Sequence, residues 1–281
     1  MYQLTLSETC EAPQPRRIWV PPAGRELLRK RDYDPMVCPL YDPGAPQAQR
    51  QAGREQVLEF LSRWHYMHRS GESKMPPMTW AFGLFLRREL VGVVVLNPPA
   101  AGVCQWLYGE DNDWRRRVIA ATRTCATDDA PFCTESLMVS AVWRMLPRLD
   151  DRFTVGVAMS DLAIVDPVGQ QHNGGIYAAS NAWWAGTSET GTWRGFVNPI
   201  TGARISRKCG GRNRTRDELP EGWEIDGGTR LNRFLWFVGR EEAAARAALR
   251  PTVEVAIKPG QTPVWRRPLY VRRNTRRAYR L

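Results

Sequence analysis

The chain has 281 residues, 43% of them hydrophobic, enough for one large domain or two small ones with an ordinary core. Lys and Arg number 40 against 29 Asp and Glu, a net charge of +11, and no run approaches the roughly 18 apolar residues of a membrane span. Six scattered cysteines with no C-x-x-C spacing speak against a zinc ribbon or a disulfide scaffold, and the N-terminus, MYQLTLSETCEAPQPRR, lacks a basic-then-apolar signal pattern, so a reduced cytoplasmic protein with no membrane partner is expected.

Residues 1–49 are rich in proline and arginine without periodicity and read as an extended N-terminal segment. The first helix is predicted over about Gln47–Met67, with Val57, Leu58, Leu61 and Trp64 on one stripe, and it ends in WHYMHR before the breaker run SGESKMPPM. Trp80–Leu86 and Leu90–Leu96 form a hairpin around the charged turn Arg87-Arg88-Glu89. Val103–Tyr108 reads as another strand, and Val118–Thr124 as a further one carrying Arg123 near its end. After the loop CATDDAPFCTE, Ser136 suits the N-cap of a helix over Ser136–Leu149 whose apolar face is Val139, Val142, Trp143 and Leu146.

The alternating run Phe153, Val155, Val157, Met159 marks a half-buried strand. It leads into DPVGQQHNGGIYAASNAWW, Asp166 to Trp184, with a helical segment at Ile176–Asn181 and a short strand at Trp183–Gly186. Residues 187–230 are rich in Gly, Arg and Thr and read as a long basic insertion; Leu231–Val238 is the last strand, Glu241–Leu249 a short helix, and 251–281 a basic C-terminal arm. With strands outnumbering helices, the fold class is α/β (α+β), one mixed sheet with flanking helices in a domain over about 50–250.

The stretch 166–184 gathers a carboxylate (Asp166), an imidazole (His172), a phenol (Tyr177) and an amide (Asn181) where a strand gives way to a helix, the end of a sheet at which α/β proteins bind ligands. Each has a structural alternative: Asp166 before Pro167 can cap or turn, and Tyr66 and Tyr177 can be half-buried core phenols. His65 and His68 lie three apart, and His65, His172 and Asp166 can be combined into a two-histidine, one-carboxylate metal site; the structural alternative is that His65 packs at the helix end and His68 is solvated. The helix start at Thr134, Glu135 and Ser136, with Arg123 on the preceding strand, is suited to an anion. Arginine dominates the cations, and twelve tryptophans add flat surfaces, a combination that moves nucleic acid ahead of an acidic protein as the partner.

Two clusters carry a family resemblance: Arg123, Asp128, Pro131 and Ser136 in RTCATDDAPFCTES, and Asp166, His172, Gly174, Ile176, Tyr177, Ala179, Asn181 and Trp183 in DPVGQQHNGGIYAASNAW. Together with Trp64-His65-Tyr66 they resemble the Mom family of bacteriophage DNA-modification proteins over about residues 50–240. The resemblance implies a fold similar to the GCN5-related N-acetyltransferases (GNAT), with a mixed, mostly antiparallel sheet flanked by helices. It also implies a transferase that converts adenine in DNA to an N6-carbamoylmethyl-type derivative and so protects phage DNA from host restriction. Acetyl-CoA is the implied donor, with Fe(II) as a possible further requirement, and the place of action is the infected host's cytoplasm.

Carried over residue by residue, the resemblance gives functional positions at Tyr66, Arg123, Ser136, Asp166 and Tyr177, with His65 close by. In that reading Asp166 is the base for the adenine N6 proton and Tyr177 or Tyr66 the proton donor. Arg123, Thr134, Glu135 and Ser136 hold the donor. Double-stranded DNA with a flipped adenine meets Trp183, Trp184, Trp64, Asn181 and His172 at the base, and Arg207, Lys208, Arg212 and Arg214 in the insertion. The long insertion and the arm depart from the family pattern. An acyltransferase acting on another modified base or a protein amine, and a non-catalytic DNA-binding accessory protein, are the competing readings.

Overall fold

The computed structural model describes residues 34–65, 78–161, 174–188, 191–201, 204–206, 208–209, 212–228, 231–251 and 253. They form two compact units, one made of the chain up to Ala158, Gly174–Ala185 and Phe234 onwards, the other of Met159–Asn173 and Gly186–Arg233. A seven-stranded mixed sheet dominates. Its strands are β1 (Met36–Tyr41), β2 (Trp80–Leu86), β3 (Glu89–Asn97), β4 (Val118–Ala126), β5 (Val155–Asp161), β12 (Leu231–Phe237) and β6 (Trp183–Thr187), in the order β1-β2-β3-β4-β5-β12-β6. Pairing is antiparallel from β1 to β4 and parallel between β4 and β5.

Alternation along the strands sends side chains to two faces, and helices cover both. On one face α4 (Thr134–Leu149) lays Met138, Val139, Val142, Trp143 and Leu146 against Phe82, Leu84, Val94, Leu96 and Ile119. On the other, α1 (Gln47–Trp64) brings Val57, Phe60 and Leu61 to Ala81, Val93, Val95 and Cys125. Beside α1 on that face, α2 (Ala101–Tyr108) and α6 (Glu242–Ala247) cover Val118, Ala120, Val155, Val157 and Leu235 with Cys104, Leu107, Tyr108 and Ala245. The Tyr108 hydroxyl donates to the Ala245 carbonyl at 3.1 Å, and burial, reinforced by Asp111, pushes this phenol well above its ordinary pKa.

Helix α1 stops at Trp64, three residues before the predicted end, because His65 turns extended; Val57 and Leu61 are fully buried while Leu58 and Trp64 are half-buried. A side chain at Gly53 of α1 would meet the Leu40 carbonyl oxygen at 1.7 Å, so only glycine lets this helix lie so close to β1. The β2–β3 hairpin turns on Arg87 and Arg88, both left-handed (φ 49 and 72), as a tight two-residue connection demands.

Three expectations need correcting. Val103–Tyr108 is helical, not a strand: its buried positions, Cys104, Leu107 and Tyr108, recur at helical spacing, and a four-residue helix, α3 (Asn112–Arg115), follows under the cap of Asp111. Met36–Tyr41, assigned to the N-terminal segment, is the sheet's edge strand. Helix α4 begins at Thr134, so Ser136 lies inside its first turn, not at its cap.

The second unit has a three-stranded antiparallel sheet of its own, in the order β11-β7-β8, from β7 (Gly191–Val197), β8 (Arg204–Ser206) and β11 (Glu224–Gly228). A two-residue ladder pairs β9 (Lys208–Cys209) with β10 (Arg212–Asn213). Thr215 and Glu218 close a capping box over the short helical turn Arg216–Glu218.

Candidate active site

Strands β4 and β5 pair at Val118–Val155, Ile119–Gly156 and Ala120–Val157 and then part, while β4 runs on to Ala126 along β3. Gly156 is where the Trp143 indole presses closest on β5, since a methyl group there would meet the ring at 2.8 Å. Past Ala126 the chain turns tightly, with Ala130 N–H on the Thr127 carbonyl and Thr134 N–H on the Pro131 carbonyl, and enters α4 through Cys133 in a left-handed conformation (φ 72). Cys133 gives the helix no side-chain cap. The first turn of a sixteen-residue helix thus opens at the end of β4, with the half-buried Arg123 three residues short of that end.

This is a donor set suited to the phosphates of an acyl-CoA: backbone N–H groups at the positive end of a helix and a guanidinium on the neighbouring strand. The Thr134 and Ser136 hydroxyls contribute less than expected. Thr134 Oγ1 donates to the Pro131 carbonyl at 2.5 Å and Ser136 Oγ to the Cys133 carbonyl at 3.1 Å, so each proton is committed to the turn. Glu135, the acid of that first turn, opposes an anion there. Arg123 sends Nη1 to the Thr122 carbonyl at 2.7 Å. Two polar atoms that the sequence reading passed over, Thr124 Oγ1 and Thr127 Oγ1, are buried at the end of β4 without a partner among the described residues.

Tyr177 sits on α5 (Gly175–Ala179). The helix starts after Gly174, whose φ of 81 explains one glycine of the HNGG run. It ends in a Schellman motif: Ala182 N–H reaches the Tyr177 carbonyl at 3.1 Å and Asn181 N–H the Ala178 carbonyl at 3.0 Å, with Asn181 left-handed at φ 66. Asn181 is therefore an exposed helix terminator, a role that by itself accounts for an asparagine. The Trp236 indole donates to the buried Ser180 carbonyl at 3.1 Å, pinning α5 to β12. The Tyr177 ring, 5% exposed, lies 5.2 Å from Phe234 and 5.8 Å from Trp236, centroid to centroid.

The three tryptophans named for base stacking all take part in packing. Trp64 lies against the α1 core. Trp183 and Trp184 diverge to opposite faces of β6; Trp184 joins the α4 side, and Trp183 the α6 side with the Arg246 guanidinium 4.8 Å above its ring. His65 is buried at the end of α1. In the second unit Arg214 is half-buried and paired with Glu218 at 3.4 Å, so its charge is partly spent; Lys208 and Arg212 are fixed only as members of the β9–β10 ladder.

Asp166, His172, Tyr66, His68 and Arg207 lie outside the described residues. Of the expected metal trio only His65 is described, and among the described residues no three His, Cys, Asp or Glu side chains come together. Fe(II) therefore has no support from the structure.

The sequence profile of the Mom protein family matches residues 49–212, more than half of the chain. The chain belongs to the Mom protein family. The Mom match takes in β4, the turn into α4, and α5, the elements on which the site is built. No curated protein matches the chain. Among solved structures, a Bacillus subtilis acetyltransferase in complex with CoA aligns at 8% identity and a TM-score of 0.37, over 73% of this chain and 99% of its own. A GNAT family acetyltransferase from Elizabethkingia anophelis with acetyl-CoA bound aligns at 9% and 0.30, over 73% and 98%. An N-acyl amino acid synthase from uncultured soil microbes aligns at 10% and 0.34, over 77% and 95%. Likeness at this level carries no argument about activity.

Proposed function

We propose that this Mom-family chain is a transferase that modifies adenine N6 in DNA with a group drawn from an acyl-CoA-type donor, acting in the cytoplasm of a phage-infected host and shielding phage DNA from restriction. The observation that carries the reading is the family match across the parted β4–β5 pair and the first turn of α4. The thioester of the donor supplies an activated acyl group. Arg123 and the N–H groups opening α4 hold its phosphates.

The N6 lone pair of adenine is delocalised into the ring, so attack needs a proton acceptor; Asp166 takes that proton, worth roughly 10²–10⁴-fold. Tyr177 or Tyr66 holds a proton for the leaving group. Attack of N6 on the thioester carbonyl forms the N–C bond, breaks the C–S bond and releases the CoA thiol, giving an amide at N6. A carbamoylmethyl group is joined through its methylene instead and carries one nitrogen more, so reaching it takes a nitrogen donor and a two-electron oxidant beyond acyl transfer. Extruding the base costs a few kcal/mol, offset by aromatic contact.

Purified full-length protein incubated with duplex DNA and acetyl-CoA isotopically labelled in its acetyl group tests the reading. Label is expected in the deoxyadenosine fraction after digestion, and Arg123→Ala should raise the donor concentration needed for half-maximal incorporation. Active-looking donor turnover with no label in any nucleoside would move the acceptor from DNA to another amine.

A further inference from the structure

A second cationic site lies at the other end of β4. Arg115, Arg116 and Arg152 line a pocket of about 300 Å³ whose apolar lining includes Pro98, Pro99, Val118 and Phe153. The residues come from one end of the sheet: Pro98 and Pro99 follow β3, Arg115 and Arg116 precede β4, and Arg152 and Phe153 precede β5. Arg123 is five residues along β4 from Val118, on the order of 17 Å at about 3.3 Å per residue, and the strand end that leads to the α4 turn is about 26 Å away. The pocket is separate from the candidate active site.

Its electrostatics are incompletely balanced. Arg152 gives Nε and Nη2 to Asp150, at 2.8 and 2.7 Å, and keeps Nη1 without a partner among the described residues. Arg115 faces Glu110 at 3.7 Å, but that carboxylate is 81% exposed, and so loose a surface pair compensates little. Arg116 is exposed, with no acidic partner among the described residues. Three guanidinium groups against the firm Asp150 and the looser Glu110 and Asp151 leave a local charge of at most about +2, of the sign that a phosphate monoester, about −1.5 to −2 near pH 7, requires. Guanidinium forks suit phosphate bidentately, and the apolar lining of two prolines, a valine and a phenylalanine suits an apolar or planar body.

We propose that this pocket binds a phosphate monoester carried on a small apolar or planar body, of the kind a nucleotide or a 5′-phosphorylated strand end presents. The assignment does not depend on the adenine-modifying reading, and its test measures no transfer activity.

Isothermal titration of the full-length protein with inorganic phosphate and with phenyl phosphate decides it. Phenyl phosphate is expected to bind at least about tenfold tighter, because the ring is removed from water against the apolar lining. Arg116→Glu should weaken phenyl phosphate by at least about tenfold with an unchanged melting temperature, whereas Arg54→Glu, the same charge change on α1, should leave it as it was. Equal affinity for the two phosphates, or equal losses in the two variants, would overturn the proposal. Competition by deoxyadenosine monophosphate assigns the site to free nucleotides. Competition by a 5′-phosphorylated oligonucleotide, but not by its 5′-hydroxyl twin, assigns it to strand ends. Equal competition by both oligonucleotides would contradict a monoester site.

Discussion

Asn181 and Asp150 show how single side chains divide between structure and chemistry. Asn181 carries a left-handed backbone at the end of α5 and donates one of the terminator's two bonds, Ala182 N–H donating the other. Asn181→Gly should therefore keep the melting temperature and the product, whereas Asn181→Ala should lose about 1 kcal/mol, because alanine keeps the Cβ but lacks the short polar side chain that makes the left-handed region tolerable for asparagine. Loss of product in the glycine variant at unchanged melting temperature would return the amide to the site. Asp150 is buried and receives Arg152 through two guanidinium nitrogens, with the Trp80 indole at 3.2 Å. Hydrogen bonds from Arg152, joined by Trp80 and the arginine's charge, hold this carboxyl below its ordinary value of 3.8 against the opposing effect of burial. A carboxyl depressed in the folded state stabilises above its unfolded pKa and loses that contribution as pH falls through the folded one. The gap in melting temperature between the wild type and Asp150→Asn should therefore be constant from neutral pH down to about 5 and shrink below about 4. A gap independent of pH would assign the effect to geometry alone.

At the scale of elements, Trp236 ties α5 to β12, and Tyr177 depends on that tie. Trp236→Phe leaves the Ser180 carbonyl buried and unpaired, a cost of about 1–3 kcal/mol. Thermal melts should show that loss, together with reduced product through a displaced Tyr177; a stable variant with full activity would mean that α5 holds its place without the indole. The α4 stripe from Val139 to Leu146 was legible in the sequence because its burial is one-sided, whereas β5, read from the alternation of Val155 and Val157 as half-buried, is covered on both faces, with Gly156 and Ala158 buried as well. Residues 101–108 were misread because a short apolar run fits strand and helix alike; two prolines ahead of it and helical spacing of Cys104, Leu107 and Tyr108 were the available signals. Strand β1 was hidden by its edge position, where half-burial weakens alternation and Pro39 is tolerated. The helix start at Thr134 was blurred because the residue at the cap, Cys133, works through its backbone instead of a side-chain oxygen. The site at β4 and α4 was legible as chemistry, but the commitment of the Thr134 and Ser136 hydroxyls to carbonyls of the turn depends on local geometry no spacing reveals. The WRRRV run at the start of β4 was in plain view, yet only the fold sets two of its arginines beside Arg152.

For the whole molecule, the excess of 40 basic over 29 acidic residues is distributed in a way that matters for partners. Some of the arginine is spent internally, on Asp150, on Glu218 and, through Arg117, on Glu241. The net charge of +11 favours an anionic partner, which in the proposed reading is DNA. The most direct measurement is nucleoside mass spectrometry on DNA from cells expressing the full chain or its Asp166→Asn variant. The account predicts a mass-shifted deoxyadenosine with the wild type and its loss in the variant at equal protein level. Unmodified deoxyadenosine in DNA from cells holding abundant soluble wild-type protein would contradict it.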